Sequence, residues 1–176
     1  MGNVYKVVVT GPFNSGKTEF IRTISDIPIV STERRISDHF ASVKDETTVA
    51  LDYGQVRLGR DLFHLYGTPG QPRFDFMWDI LSGEMHAFIV LVDSCDRASF
   101  PQARRLIRIF RRKSGVPYLV VANKQDGDNS LSAQAIGRAL GLGGKIPVVP
   151  CVASEKASVR NVLKELRALV FAYNDD

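Results

Sequence analysis

The chain has 176 residues, of which 44% are hydrophobic and 24% charged, and its formal net charge at pH 7 is +4. This length and composition favour one folded soluble domain and exclude a disordered chain, and the apolar runs are too short to cross a bilayer. The two cysteines, Cys95 and Cys151, have neither metal-ligand spacing nor a disulfide framework. We therefore expect a single domain over residues 1–176 in the reducing cytoplasm.

The two ends of the sequence carry no complete lipidation signal. Gly2 follows Met1, but Lys6 stands where myristoylation requires Ser or Thr, and the last four residues contain no cysteine for prenylation. The sequence therefore predicts no lipid anchor.

A phosphate-binding motif follows the first predicted strand. The apolar run Val4–Thr10 predicts a buried strand, and residues 11–18 match G-x-x-x-x-G-K-[ST] ahead of a helical stretch to about Ser25. In that context the loop N–H groups hold phosphates, Lys17 contacts the β- and γ-phosphates, and the Thr18 hydroxyl binds Mg²⁺. The alternative, a glycine-rich turn without a ligand, is disfavoured by the flanking strand and helix. The predicted phosphate-binding residues are Gly11, Asn14, Ser15, Gly16, Lys17 and Thr18.

A long connection and a β-hairpin are predicted next. Residues 28–47 show no periodicity, and a connection of that length in a compact domain is usually functional or mobile. The alternation over residues 49–53 resumes one residue out of phase beyond Gly54, which predicts a β-bulge there. The turn at residues 59–61 leads into the strand Leu62–Tyr66 and closes the hairpin.

The rest of the chain alternates buried strands with amphipathic helices, which predicts βαβ units. The fold class is therefore α/β, with a mostly parallel sheet covered by helices on both faces. The predicted strands are Ala87–Val92, Tyr118–Ala122 and Pro147–Cys151, and the predicted helices are Ser99–Lys113, Leu131–Leu140 and Ala157–Tyr173.

A base-reading motif, Asn123-Lys124-Gln125-Asp126, directly follows one of these strands. Ligands bind at the carboxyl edge of an open α/β sheet. The Asp126 carboxylate can accept hydrogen bonds from N1–H and the exocyclic amine of guanine, donors that adenine lacks there. Asn123 would orient the loop and reach the base, and the stem of Lys124 would pack on the base. An ordinary Asn- and Asp-rich turn is the alternative, and the phosphate loop earlier in the chain disfavours it.

Together these motifs resemble the Ras superfamily of small GTPases over nearly the whole chain. Within that superfamily, the sequence most resembles prokaryotic Ras-like proteins, namely the MglA type and the conservon-associated GTPases. This finer resemblance lies in the segments 10–13, 67–71 and 74–81. The resemblance implies a P-loop NTPase fold with a six-stranded sheet in the order 2-3-1-4-5-6, strand 2 antiparallel. It also implies GTP/GDP and Mg²⁺ as ligands, and regulatory or effector proteins as partners, with roadblock-domain proteins among the candidates.

The resemblance assigns further site residues by position. Thr48, with Thr47 as the adjacent alternative, matches the switch threonine that joins Thr18 on the metal. Gly70 matches the glycine whose N–H contacts the γ-phosphate, and the backbone N–H of Ala153 matches a donor to guanine O6. Gln71 matches the glutamine that orients the attacking water, so Gln71 and Lys17 are the catalytic candidates.

Three departures from the family pattern affect hydrolysis and metal binding. The metal-linked Asp of the family is Gly67 here, the bulky Phe13 and Asn14 occupy small phosphate-loop positions, and no arginine lies two residues before Thr48. Hydrolysis should therefore be slow. A conformational change could still bring Arg34, Arg35 or Arg73 to the γ-phosphate. Without the Asp, Mg²⁺ should depend on Thr18, Thr48 and the phosphates. Asp52 and Asp93 are possible substitutes, but both are more simply interpreted as strand-end residues bonded to backbone N–H groups.

The sequence supports three hypotheses about function. The leading one is a slow GTP-hydrolysing switch; the rivals are a non-hydrolysing guanine-nucleotide-binding module and a nucleic-acid-associated GTPase. Six basic residues lie between Arg104 and Lys113 on the outer face of a helix. They favour a solvated face or a docking site for an acidic protein, and nucleic acid is the weaker prediction because interleaved aromatics are missing there. Membrane recruitment would then require a partner protein.

Overall fold

The computed structural model describes residues 2–36, 47–69 and 83–175, with only the backbone described for 32–36 and 47–50. In chain order the elements are β1 (Val4–Thr10), α1 (Lys17–Ile24), β2 (Val30–Ile36), β3 (Thr47–Leu58), β4 (Asp61–Gly67), β5 (Ala87–Asp93), a 3₁₀ turn (Arg97–Ser99), α2 (Phe100–Lys113), β6 (Tyr118–Asn123), α3 (Ala133–Leu140), β7 (Val148–Pro150) and α4 (Lys156–Asp175). Within the described part of the chain, no helix is long and apolar enough to span a membrane.

The described strands form one mostly parallel sheet in the order β2-β3-β4-β1-β5-β6-β7, which confirms the α/β class. The β2–β3 and β3–β4 pairs are antiparallel, and the other pairs are parallel. Leaving β2 aside, the order is the predicted six-strand order.

A seventh strand, β2, is the difference from the predicted sheet. It lies at the edge, in the stretch without periodicity, and pairs with β3 from Val30 opposite Tyr53 to Ile36 opposite Thr47. Val30 is 44% exposed. Because an edge strand is held by backbone hydrogen bonds and need not bury one face, its sequence lacks the alternation that would have revealed it.

The predicted β-bulge at Gly54 is wrong. The β3 and β4 strands pair residue for residue, from Asp52 opposite Gly67 to Leu58 opposite Asp61. A Cβ on Gly54 would lie 2.6 Å from Cγ2 of Ile21, so this position faces α1 at close range. The hydrophobic pattern changes phase because β3 buries residues on both faces of the sheet, not because a residue is inserted.

The core lies in two layers, one on each side of the sheet. Alternate residues of β1 point to opposite sides, with Val7 and Val9 packing toward α1 and α4 and Val8 toward α2 and α3. On α2 the predicted apolar face is buried, at residues Ala103, Leu106, Ile107 and Phe110. The loops that follow β1, β5, β6 and β7 consequently meet at one edge of the sheet, the edge where α/β folds bind ligands.

Candidate nucleotide-binding site

The loop between β1 and α1 wraps so tightly that two of its glycines cannot be replaced without displacement. A Cβ on Gly11 would lie 2.3 Å from the Leu91 carbonyl oxygen, and one on Gly16 would lie 2.3 Å from Nδ2 of Asn123. Gly16 also has a φ of 100°, in the left-handed region. The loop therefore has the close backbone approach that phosphate binding requires.

Lys17 places its ammonium group inside this loop. Its Nζ donates to the carbonyl oxygens of Gly11 at 2.7 Å and Pro12 at 2.8 Å. Burial lowers the pKa of Lys17 to about 8, while the negative charge of Asp52 acts in the opposite direction. At pH 7 the side chain is still mostly protonated, so the loop holds a positive charge where the sequence predicts phosphates.

Asn123 joins the phosphate loop to the loop after β7. It is 1% exposed; its Nδ2 donates to the Ser15 carbonyl oxygen at 2.9 Å, and its Oδ1 accepts from the Ala153 N–H at 2.9 Å. The second bond bears on the predicted contact of the Ala153 N–H with guanine O6. Here that N–H is used within the protein, so a contact with O6 requires it to be shared or released.

Lys124 spans the site from the base-reading loop to the phosphate loop. Its Nζ donates to the Asn14 carbonyl oxygen at 2.9 Å and to Oδ2 of Asp93 at 2.7 Å. The other oxygen of Asp93 accepts from the Cys95 N–H at 2.9 Å, which fits the prediction of a strand-end residue bonded to backbone. The side chain of Asp126, two residues after Lys124, is exposed. The loop backbone is thus fixed, while the carboxylate that the sequence predicts to read guanine remains accessible.

On the opposite side of the phosphate loop, Thr18 meets an acidic side chain. Its hydroxyl donates to Oδ2 of Asp52 at 2.5 Å, and the Ser31 hydroxyl donates to Oδ1 of the same residue at 3.0 Å. Thr18, Lys17 and Asp52 line one pocket of 410 Å³, together with Phe13. The interpretation of Asp52 as a strand-end residue is wrong, because it lies within β3 and bonds two side-chain hydroxyls.

Comparison with known proteins assigns the family. The sequence profile of the ADP-ribosylation factor family matches residues 2–170. The chain belongs to the ADP-ribosylation factor family. This confirms the prediction of a Ras-superfamily small GTPase, and the prokaryotic subgroup stays a prediction.

Individual relatives of this ADP-ribosylation factor family member are distant. The human ADP-ribosylation factor-related protein 1 is 31% identical over 134 residues, 73% of this chain and 63% of that protein, so the match spans less than two thirds of the relative. An uncharacterised protein of Methanocaldococcus jannaschii is 31% identical over 122 residues, 69% of this chain and 70% of that one. The Arl6 BBS3 small GTPase of Trypanosoma brucei, solved with the nucleotide analogue GppNp, has the same fold, with a TM-score of 0.71 at 22% identity over 96% of this chain and 98% of that chain.

The two switch regions of this family member are only partly described. Gly70, Gln71 and Arg73 lie outside the described residues. Thr48 lies in β3 opposite Arg35, and only the backbone is described at both positions and at Arg34. The structure therefore brings together the phosphate loop, Thr18, Asn123, Lys124 and Ala153, while the predicted roles of the switch residues stay predictions.

Asp52 is a residue of this pocket that sequence reasoning dismissed. In the structure Leu58 pairs with Asp61, and this register places Asp52 opposite Gly67. The predicted turn over residues 59–61 and the predicted bulge at Gly54 both shift that register, so the sequence carries no signal that Asp52 lies opposite the missing carboxylate.

Proposed function

We propose that this chain binds GTP and GDP with Mg²⁺ and slowly hydrolyses GTP to GDP as a regulatory switch. The observation that carries the proposal is the bonding of the phosphate loop to the base-reading loop through Asn123 and Lys124. Two motifs that are distant in sequence thereby form one continuous surface, with the Lys17 charge at one end and the Asp126 carboxylate at the other. Residues 1–176 act in this proposal as a single GTPase domain.

The proposed chemistry needs little from the protein beyond positioning and charge. Lys17 would stabilise the negative charge on the β- and γ-phosphates, the Gly70 N–H would contact the γ-phosphate, and Gln71 would orient the attacking water. No arginine is assigned to the transition state. We therefore expect intrinsic turnover on the order of 10⁻⁴–10⁻³ per second, near the slow end for this class of enzyme.

The donor set around Thr18 fits Mg²⁺. This ion prefers oxygen ligands and is typically held by one or two protein groups together with phosphates and water. The Thr18 hydroxyl supplies an oxygen ligand and the Asp52 carboxylate that it bonds adds negative charge beside it, with Thr48 proposed as a further ligand in the GTP state. When bound, Mg²⁺ would neutralise charge on the phosphate oxygens.

A single purification tests the main proposal. The nucleotide that copurifies with the chain is identified by chromatography, and conversion of bound GTP to GDP is followed under single-turnover conditions. We expect guanine nucleotides only and a rate in the range given above. Equal competition by ATP at the same concentration would contradict the base-reading role of Asp126.

A non-hydrolysing guanine-nucleotide-binding module is the second candidate. Phe13, which is 73% exposed, lines the same pocket as Lys17 and Thr18 and adds bulk where an arginine from another protein would enter. The single-turnover experiment separates the two candidates. Bound GTP that persists without conversion over many hours would favour the module.

The finer assignment concerns subgroup, location and partners. We propose a cytoplasmic prokaryotic Ras-like GTPase that reaches membranes only through a partner, with roadblock-domain proteins as candidate partners. The sequence segments 10–13, 67–71 and 74–81 support this proposal, as does the relative from Methanocaldococcus jannaschii, a prokaryote. Capture of a roadblock-domain protein in only one nucleotide state would support it, and equal capture in both states would contradict a switch.

The basic face of α2 is the proposed docking surface for an acidic protein. Arg108 and Arg111 are exposed, and with Arg104 and Arg138 they line a pocket of 470 Å³ between α2 and α3. Arg108→Glu/Arg111→Glu should weaken partner capture without changing GTP affinity. The matched control is Arg160→Glu/Lys164→Glu on the exposed face of α4. Salt-sensitive binding of the unmodified chain to arbitrary DNA or RNA would instead support the nucleic-acid alternative.

A further inference from the structure

Gly67 has no side chain, and part of Asp52 occupies the space beside it. A Cβ placed on Gly67 would lie 3.2 Å from the Cβ of Asp52, its partner in the β3–β4 pairing, and 2.9 Å from Cδ1 of Ile21. A side chain at position 67 would therefore compete with Asp52 for one volume. The carboxylate that the family pattern expects from β4 is delivered here from the adjacent strand.

The contacts of Asp52 direct this carboxylate to the predicted metal ligand. A hydroxyl has one proton to donate and two lone pairs with which to accept or coordinate. Thr18 uses its proton on Oδ2 of Asp52, at 2.5 Å. Its lone pairs are then the part of the hydroxyl left for a cation, and the adjacent negative charge makes the oxygen a better donor to that cation.

The other candidate carboxylate is committed elsewhere. Asp93 forms an ion pair with Lys124 at 2.7 Å and accepts from the Cys95 N–H, both on the base-reading side of the site. Asp52 and Thr18, in contrast, line the pocket that also contains Lys17 and Gly67. The contacts distinguish between two residues that the sequence left equivalent.

We propose that Asp52 is the metal-linked carboxylate of this protein and takes the place of the acid missing at Gly67. It acts as a positioning residue, because it fixes the Thr18 hydroxyl and adds negative charge beside the cation. The proposal rests on the proposed function, since it concerns the Mg²⁺ that accompanies the nucleotide.

A carboxylate at Asp52 changes the expected Mg²⁺ affinity of the GDP state. With Gly67 alone, Mg²⁺ would be weak in the GDP state because only Thr18 would remain. Asp52 is held by the β3–β4 pairing, and the end of β4 is held by Thr68, whose N–H donates to the Val9 carbonyl oxygen at 3.0 Å. None of these bonds involves a phosphate, so loss of the γ-phosphate does not itself break them, and on this proposal Asp52 still serves Mg²⁺ in the GDP state.

The experiment measures release of a fluorescent GDP analogue as free Mg²⁺ is varied from micromolar to millimolar. Release slows as the metal binds, and the midpoint of that change reports metal affinity without requiring hydrolysis. Asp52→Asn should raise the midpoint about 10- to 100-fold, the usual cost of losing an outer-shell partner. The matched control, Ser31→Ala, removes a bond to Asp52 but keeps the carboxylate, and its midpoint should move no more than about threefold.

A relocation variant separates charge from packing. Asp52→Gly combined with Gly67→Asp returns a carboxylate from β4 and removes the Cβ at position 52, and Ile21→Val is added to remove the Cδ1 that would obstruct it. This triple variant should recover most of the lost Mg²⁺ affinity relative to Asp52→Gly/Ile21→Val. Gly67→Asp with Ile21→Val and Asp52 intact should not lower the midpoint.

The outcomes discriminate between the two proposals. If the unmodified chain binds the GDP analogue but Asp52→Asn leaves the midpoint unchanged, the role of Asp52 is overturned and the proposed function stands. The same holds if Ser31→Ala shifts the midpoint as far as Asp52→Asn, or if Gly67→Asp tightens the metal in the unmodified background. A chain that binds no guanine nucleotide at saturating Mg²⁺ overturns the proposed function and this inference with it.

Discussion

The two sides of the candidate site are built differently. On the base-reading side, Asn123 and Lys124 bond directly to the phosphate loop and to the loop after β7, and Asn123 is buried. On the metal side, Thr18, Asp52 and Ser31 form a chain of exposed side-chain hydrogen bonds that runs onto the edge strand β2. The two Asn123 bonds on the base-reading side are buried, whereas the Lys124 bond to the phosphate loop and the bonds on the metal side lie near solvent.

This difference suggests how recognition and regulation are divided. A buried hydrogen bond is costly to break because its groups are left unsatisfied, whereas an exposed one exchanges with water at little cost. The base-reading side is therefore preorganised and should be the same in both nucleotide states. The metal side adjoins the switch regions, where contacts other than the Thr18–Asp52 bond, such as the one proposed for Thr48, can be exchanged between states.

Asp126 should give the largest effect. A site that pairs the polar edge of guanine should prefer GTP to ATP by about 10⁴-fold. Asp126→Asn should abolish this preference and shift binding toward xanthine nucleotides, measured by direct titration with fluorescent analogues of guanine, adenine and xanthine nucleotides. The matched control is Asp128→Asn, another exposed carboxylate in the same loop, which should keep the preference for guanine. Equal loss in both variants would mean that loop charge, not base pairing, sets selectivity.

Asn123 tests whether the base-reading side depends on internal bonding. Asn123→Ala leaves the Ser15 carbonyl and the Ala153 N–H without their partner, and each unsatisfied group costs about 1–3 kcal/mol. We expect the free energy of unfolding to fall by about 2–6 kcal/mol and GDP affinity to fall about 100-fold. Denaturant unfolding and calorimetric titration measure the two quantities.

The neighbouring Gln125 provides the comparison for that experiment. Gln125→Ala removes bonds to the Ser94 hydroxyl and the Leu131 carbonyl oxygen but none to the phosphate loop. It should lower stability with a much smaller change in GDP affinity. If both variants lose affinity in proportion to their stability, the bonds between loops have no specific role in binding.

The predictability of the site follows the same division. The phosphate loop and residues 123–126 could be proposed as site residues from the sequence because their chemistry demands particular residues at fixed spacing after a strand. The central strands were identified because burial on both faces requires continuous apolar runs, as in Ala87–Val92. Where pairing at a sheet edge determines structure, as in β2, the sequence carries no comparable pattern.

Asp52 and Asn123 show a second limit. The sequence placed Asp52 in a strand and Asn123 after one, but it could not assign partners to side chains that meet across strands. The Ser15 carbonyl and Asn123 are 108 residues apart in sequence, and Thr18 and Asp52 are 34 apart. Pairs of this kind depend on register and loop path, which residue types alone do not determine.

Gln71 tests the proposed chemistry on the switch side. If it orients the attacking water, Gln71→Leu should slow single-turnover GTP hydrolysis by about tenfold or more and leave GDP affinity unchanged. The measurement is conversion of preloaded GTP, with Gln125→Leu as a glutamine replacement in the base-reading loop. An unchanged rate in Gln71→Leu would remove this residue from the mechanism.

Ser31 should give the smallest effect and provides the most direct comparison of the two sides. Its bond to Asp52 is exposed, so Ser31→Ala should lower the free energy of unfolding by about 1 kcal/mol or less. Because β2 lies at the sheet edge, the loss should appear as faster amide exchange in Val30–Ile36, with exchange in Tyr118–Asn123 unchanged. Native-state hydrogen exchange read by mass spectrometry resolves the two strands within one sample. If exchange rises equally in both strands, Ser31 contributes to global stability, and the metal side is as firmly integrated into the fold as the base-reading side.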